Sequence, residues 1–160
     1  MPKTRNGWIC DTCKQPILKV EDGWLEWLNV HVYDNGHDRE TGLRLVHHRP
    51  ASPLRAEGGC QYKSQLEYRR RKAIVAHMSL QECLGPEGLI QLTELLSQGF
   101  EPAEEVLEMI KRLHVPGYEH ARLHFKEAIA GGVFEPNRKP GYYWLDNINA
   151  TLEWMDTRGY

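Results

Sequence analysis

Residues 7–17, "GWICDTCKQPI", decide how the first half of this chain folds. Two residues separate Cys10 from Cys13, a spacing that aims two thiolates at one ion, yet no second C-x-x-C follows. The other cysteines of the 160-residue chain are single: Cys60 and Cys83. No run approaches 18 apolar residues, and "MPKTRNG" lacks the apolar core of a signal peptide, so a cytoplasmic setting without membrane contact is expected. There, cysteines serve as metal ligands or reduced core thiols more often than as disulfides.

Working outward, "GWLEWLNVHVY" (23–33) alternates, placing Trp24, Glu26, Leu28, Val30 and Val32 on one face of a strand. "GLRLVHH" (42–48) predicts a second strand, with Leu43, Leu45 and His47 facing one way and Arg44, Val46 and His48 the other. The polar, turn-rich "DNGHDRETG" between them predicts a hairpin with a long solvated loop. "RPASPLRAEGG" (49–59) reads as an irregular loop whose two glycines permit a close approach to Cys60.

From Ser64 the pattern becomes helical. Ser64 and Glu67 have capping-box spacing, predicting a helix through "LEYRRRKAIVAHM" (66–78), and Ser79 with Glu82 repeats the spacing. "GPEGLIQLTELLSQG" (85–99) carries a stripe at Leu89, Leu92 and Leu96. "EPAEEVLEMIKRLHVPG" (101–117) aligns Ala103, Val106, Leu107, Ile110 and Leu113. "GYEHARLHFKEAIAGG" (117–132) aligns Tyr118, Ala121, Phe125, Ala128 and Ile129, and "WLDNINATLEWM" (144–155) aligns Leu145, Ile148, Leu152 and Met155. The expected fold class is α+β: a zinc-bound β-hairpin part (1–63) packed on a C-terminal bundle of four to five short helices (64–160).

"CDTC" resembles the knuckle of zinc-ribbon and treble-clef zinc-finger proteins, a resemblance confined to this stretch that implies one structural zinc ion. Those families usually supply a second C-x-x-C or a cysteine–histidine pair from a later hairpin or helix; this chain departs by offering single thiols. The favoured completion takes Cys60 and one of His47 and His48, which lie at the far end of the second strand. Alternation after Leu43 and Leu45 selects His47, and a bulge would select His48. The competing completion uses Cys83, which otherwise reads as a small core residue. A site closed by four protein ligands leaves no position for water and speaks for scaffolding over catalysis.

Charge is uneven: residues 1–80 carry 13 Lys and Arg against 9 Asp and Glu, and residues 81–160 carry 7 against 13. Lys63, Arg69, Arg71 and Lys72, with Tyr62 and Tyr68 beside them, form a candidate nucleic-acid contact; the plainer reading is a solvated helix face. His120, His124 and Glu127 fall opposite the apolar stripe of their helix and read as solvent-facing. Tyr118, Tyr142, Tyr143 and Trp144 are candidate anchors for a protein partner, unless they pack over the core. The chain has no phosphate-binding loop, no G-x-S-x-G and no H-E-x-x-H. The expectation is therefore a non-enzymatic, zinc-stabilised binding or regulatory protein working through protein contacts. By analogy of build it would be a small bacterial or mobile-element regulator or inhibitor. A nucleic-acid-binding zinc finger is the alternative, and an enzyme of unknown class the remaining one.

Overall fold

The computed structural model describes residues 5–32, 37–139 and 141–160. The fold is α+β and divides into two compact units: Gly7–His114, and Val115–Tyr160 together with the N-terminal Arg5 and Asn6. The division after His114 differs from the expected boundary at 63, because the first three helices belong to the unit that holds the sheets.

In the larger unit, β1 (Trp8–Ile9) and β2 (Pro16–Ile17) form a two-stranded antiparallel ribbon around the C-x-x-C turn. β3 (Gly23–Val32) is the centre of a three-stranded antiparallel sheet, flanked by β4 (His37–His47) and β5 (Ala73–Ser79). The hairpin between β3 and β4 forms as the alternation predicts. However, β4 begins at His37, so much of the expected loop is strand; residues 33–36 of that loop lie outside the described residues. The register shifts between Glu26 and Leu28, where Gly42 and Leu43 of β4 bulge against the single residue Trp27 and Gly42 takes φ +72°. A Cβ at Gly42 would stand 2.8 Å from the Tyr62 hydroxyl, so the position needs glycine twice over.

β5 overturns the expected long helix. α1 (Ser64–Arg71) ends at Lys72, which takes φ +54°, and the chain turns into a strand that pairs with β3 from Ala73 opposite Val30 to Ser79 opposite Trp24. The reason is tertiary. β3 has a second edge of backbone donors and acceptors to satisfy, and the β-branched Ile74 and Val75 suit a pleated surface. The anticipated capping box at Ser64 carries no side-chain cap bond. The one at Ser79 does form: Glu82 accepts from the Ser79 backbone N–H at 2.8 Å and hydroxyl at 2.9 Å, at the start of a short 3-10 turn.

α2 (Gly85–Ser97) and α3 (Ala103–His114) complete this unit. α2 buries Gly88, Leu92 and Leu95, and Leu89 faces solvent, which shifts the stripe from the expected 89, 92 and 96. α3 buries Val106, Met109 and Arg112, with Leu107 exposed, because its core-facing side includes an arginine that apolar counting passes over. Their core joins Leu25, Trp27 and Leu45 of the sheet to Leu80, Leu92, Phe100, Val106 and Met109.

The smaller unit contains α4 (Tyr118–Ala121), α5 (Phe125–Ala130) and α6 (Leu145–Arg158), so the single helix expected over 117–132 is broken before Phe125. Its core is Tyr118, Ala121, Phe125, Ile148, Leu152 and Met155, with Leu145 exposed outside it. No helix among the described residues is long and apolar enough to cross a membrane.

Candidate metal centre

The C-x-x-C turn is shaped by its own backbone. The Cys10 N–H donates to Gln15 O at 3.0 Å, the Lys14 N–H donates to Cys10 O at 3.0 Å, and Lys14 takes φ +63° to close the turn. The residues between the cysteines anchor it. Asp11 donates its N–H to Leu45 O (2.8 Å) and accepts the Leu45 N–H on Oδ2 (2.7 Å), adding the turn to the outer edge of β4. Thr12 Oγ1 donates to Cys60 O at 2.7 Å.

Arg112 of α3 reaches the same carboxylate. Its Nη1 lies 2.8 and 3.1 Å from the two Asp11 oxygens, and its Nη2 donates to Ile9 O at 3.0 Å. The arginine side chain is 5% exposed and the aspartate 24%. One ion pair therefore binds turn, sheet and helix together.

Cys60 is brought in by the loop after β4, with Gly58 and Gly59 at φ +100° and +86° immediately before it. A polar cluster on the sheet holds Cys60 and Tyr62 in place. Glu26, fully buried, accepts Arg44 Nε at 2.7 Å and the Tyr62 N–H at 2.7 and 3.0 Å on its two oxygens. Arg44 also donates to Cys60 O at 3.1 Å and lies 3.6 Å above the Tyr62 ring. Tyr62 in turn donates its hydroxyl to Gly42 O at 2.8 Å. Burial raises the Glu26 carboxyl above the ordinary carboxylate range, against the pull of Arg44, the Tyr62 N–H and His77. Burial likewise raises the Tyr62 phenol.

These placements bring Cys10, Cys13, His47 and Cys60 together, with their donor atoms all within 4.8 Å of one another. His47 Nδ1 is 3.4 Å from Cys13 Sγ and 3.9 Å from Cys60 Sγ. A tetrahedron with metal–sulfur bonds of about 2.3 Å and metal–nitrogen bonds of about 2.0 Å has sulfur–nitrogen edges of about 3.5 Å. The four groups lie close enough to hold a metal ion. His47 Nε2 is 3.1 Å from Pro16 O, which only accepts, so Nε2 carries the proton and Nδ1 turns its lone pair to the sulfurs. Ser52 Oγ lies 2.9 Å from Cys60 Sγ and accepts the Leu54 N–H at 3.1 Å.

The thiols themselves are unequal. Burial works against ionisation of Cys10, but N–H groups of Cys13, His47 and Thr12 outweigh it and lower its thiol. Burial pushes the Cys13 thiol up to about 12, with Cys10 and Cys60 adding to the rise against the Gln15 N–H. Crowded sulfurs of this kind are the environment a cation relieves.

The remaining candidates are placed elsewhere. His48 is stacked on Trp24 at 4.7 Å between ring centres and is not a member of the cluster. Cys83 is buried in the 3-10 turn before α2, outside the cluster, its thiol pushed up to about 12 by burial and by Glu82. Lys63, Arg69, Arg71 and Lys72 are all exposed, but Arg71 is paired with Glu67 at 2.8 Å and Lys72 Nζ sits 5.0 Å from the centre of the Tyr68 ring. Tyr118 is buried in the core of the smaller unit, which takes it out of the set of anchors. Tyr143 stacks on Phe125 at 3.7 Å, and Tyr142 and Trp144 are exposed as an edge-to-face pair at 4.9 Å. His124 lies 4.5 Å from the Tyr160 ring and 3.7 Å from Glu127 Oε1.

Sequence reasoning missed Asp11, Ser52, Arg112 and the Glu26 cluster as supports of the site. Glu26 alone left a signal, as an acid on the same strand face as Trp24 and Leu28. Comparisons of the chain with protein-family models, with curated proteins and with solved structures found no match.

Proposed function

We propose that this chain is a non-enzymatic binding protein, stapled by one structural zinc ion at Cys10, Cys13, His47 and Cys60, that acts by contact with another protein. The observation that carries the reading is the closure of the cluster. Cys10 and Cys60 are fully buried, and His47, itself 4% exposed, uses one nitrogen toward the sulfurs and the other on Pro16. Three thiolates and one imidazole favour zinc, and with four protein donors the ion has a holding role. Three surface clefts among the described residues, of about 410, 360 and 450 Å³, are lined by none of the four residues.

Metal analysis of the purified chain tests the first half: about one zinc per chain is expected, with loss of metal and stability in Cys60→Ser. Retention of both in that variant sinks it. Affinity capture with nuclease treatment tests the second half: a specific protein recovered after treatment supports it, and recovery of nucleic acid alone refutes it. The second reading, nucleic-acid contact through α1, is favoured by the exposure of Lys63, Arg69 and Arg70. Neutralising them would then flatten the salt dependence of binding.

A further inference from the structure

The two edges of the three-stranded sheet are treated differently. The outer edge of β4 is covered: Asp11 bonds both backbone groups of Leu45, Glu105 Oε2 accepts the Leu43 N–H at 2.8 Å, and the Glu101 N–H donates to Glu40 O at 2.9 Å. β5 has no such cover along most of its length. The Leu80 N–H donates to Gly23 O at 3.1 Å, which sets the phase of the ladder. In antiparallel pairing the bonded positions alternate. Ile74, Ala76 and Met78 therefore turn their backbone groups toward β3, and Val75, His77 and Ser79 turn theirs outward. Glu82 takes the Ser79 N–H, as that phase requires. The N–H groups of Val75 and His77 have no hydrogen bond among the described residues.

Beside this edge runs a groove of about 410 Å³, walled by Ser64, Gln65, Tyr68 and Arg69 of α1 and by Ala73, Ile74 and Val75. Successive side chains of a strand point to opposite faces, so a groove touching three in a row follows the edge. Ile74 is 66% exposed and Tyr68 54%. Five cations at 63 and 69–72, against Glu67, give the α1 wall a net charge of +4.

From these observations we infer that β5 receives an extended acidic segment of a partner protein as a fourth strand, rimmed by Arg69 and Arg70. The inference rests on the protein-binding reading and names its site. The Val75 and His77 donors and their carbonyls supply the ladder, Ile74 and Tyr68 receive apolar side chains, and alternate acids meet the arginines. Pairing with a second copy through the same edge would set two +4 helices side by side, and a nucleic-acid strand has no use for the ladder donors.

The test titrates the full, zinc-loaded chain with a fluorescein-labelled octapeptide of alternating Val and Glu, with a Val–Lys octapeptide and with an octamer of thymidylate. The Val–Glu peptide is expected to bind at least tenfold more tightly than either comparator, shifting the Val75 and His77 amide signals. Val75→Pro removes an outward donor without touching the β3 ladder and is expected to weaken binding at least tenfold. Arg69→Glu with Arg70→Glu, at exposed positions, takes the net charge of the α1 wall from +4 to 0 and is expected to abolish the preference for the Val–Glu over the Val–Lys peptide. Equal binding by Val75→Pro at unchanged circular dichroism, tighter binding of the thymidylate, or dimerisation through β5 would each overturn the inference. A partner protein captured equally by wild type and by Val75→Pro would overturn this site and leave the protein-binding reading standing. Capture of no protein at all would remove both.

Discussion

The Asp11–Arg112 pair allows an asymmetric forecast, because its two members differ in access to water. Asp11→Asn leaves the guanidinium, 5% exposed, without its carboxylate. Removing one partner of a buried pair costs about 3–5 kcal/mol, and the buried cation places this variant within that range. Arg112→Met leaves the aspartate, which is 24% exposed and retains the Leu45 N–H at 2.7 Å. Water and that donor recover part of the loss, so about 2 kcal/mol is expected, one charged hydrogen bond's worth. The double variant Asp11→Asn/Arg112→Met should be more stable than Asp11→Asn alone, since an apolar side chain replaces a stranded charge. Urea unfolding of all four zinc-loaded proteins gives the cycle, and amide exchange at Leu45 reports the local effect. If both single variants fall within about 1 kcal/mol of wild type, the pair behaves like a solvated surface bridge, and its role in holding the turn to the helix is refuted.

Other expectations concern the ligands and the polar cluster. His47→Ala should lose zinc, and His48→Ala should keep it at full stoichiometry by metal analysis; the reverse result would place the wrong histidine in the site. Ser52→Ala should retain zinc and surrender it about tenfold more readily in competition with a chelator, as removal of groups supporting a ligand commonly does. Glu26 has its folded pKa raised above 4.5 by burial. Its contribution to stability is therefore full below that value and is lost as pH rises through the folded pKa. Relative to Glu26→Gln, wild type should lose stability between pH 4 and pH 8 in urea unfolding, and a relative gain would contradict the sign.

The elements that were legible in the sequence were those whose local pattern and tertiary demand agree. The β3–β4 hairpin, the C-x-x-C turn and His47 on the Leu45 face follow from alternation and ligand spacing. β5 did not, because "SQLEYRRRKAIVAHM" (64–78) has no internal mark separating eight helical residues from a strand. The left-handed Lys72 and the unpaired side of β3 decide it. The supports of the candidate metal site were hidden for a related reason. Asp11 and Arg112 are 101 residues apart in sequence, and a charge that is buried only because another meets it resembles any surface charge until the fold is known. Tyr118 and Tyr143 show the limit for aromatics, since each follows a Pro- and Gly-rich turn and packs into the core while Trp144, next to Tyr143, is exposed.

The four candidate metal ligands span Cys10 to Cys60, enclosing the whole of β3 and β4. With zinc bound as proposed, the ion acts as a clasp that can fasten only after the hairpin has assembled, because the turn alone supplies two donors. Folding of this unit then becomes a function of the ion's chemical potential. In the tight-binding range, each tenfold fall in free zinc withdraws about 1.4 kcal/mol from the folded state. The persistence of the β5 edge, and of anything that docks there, would track the metal supply of the compartment as closely as it tracks the sequence.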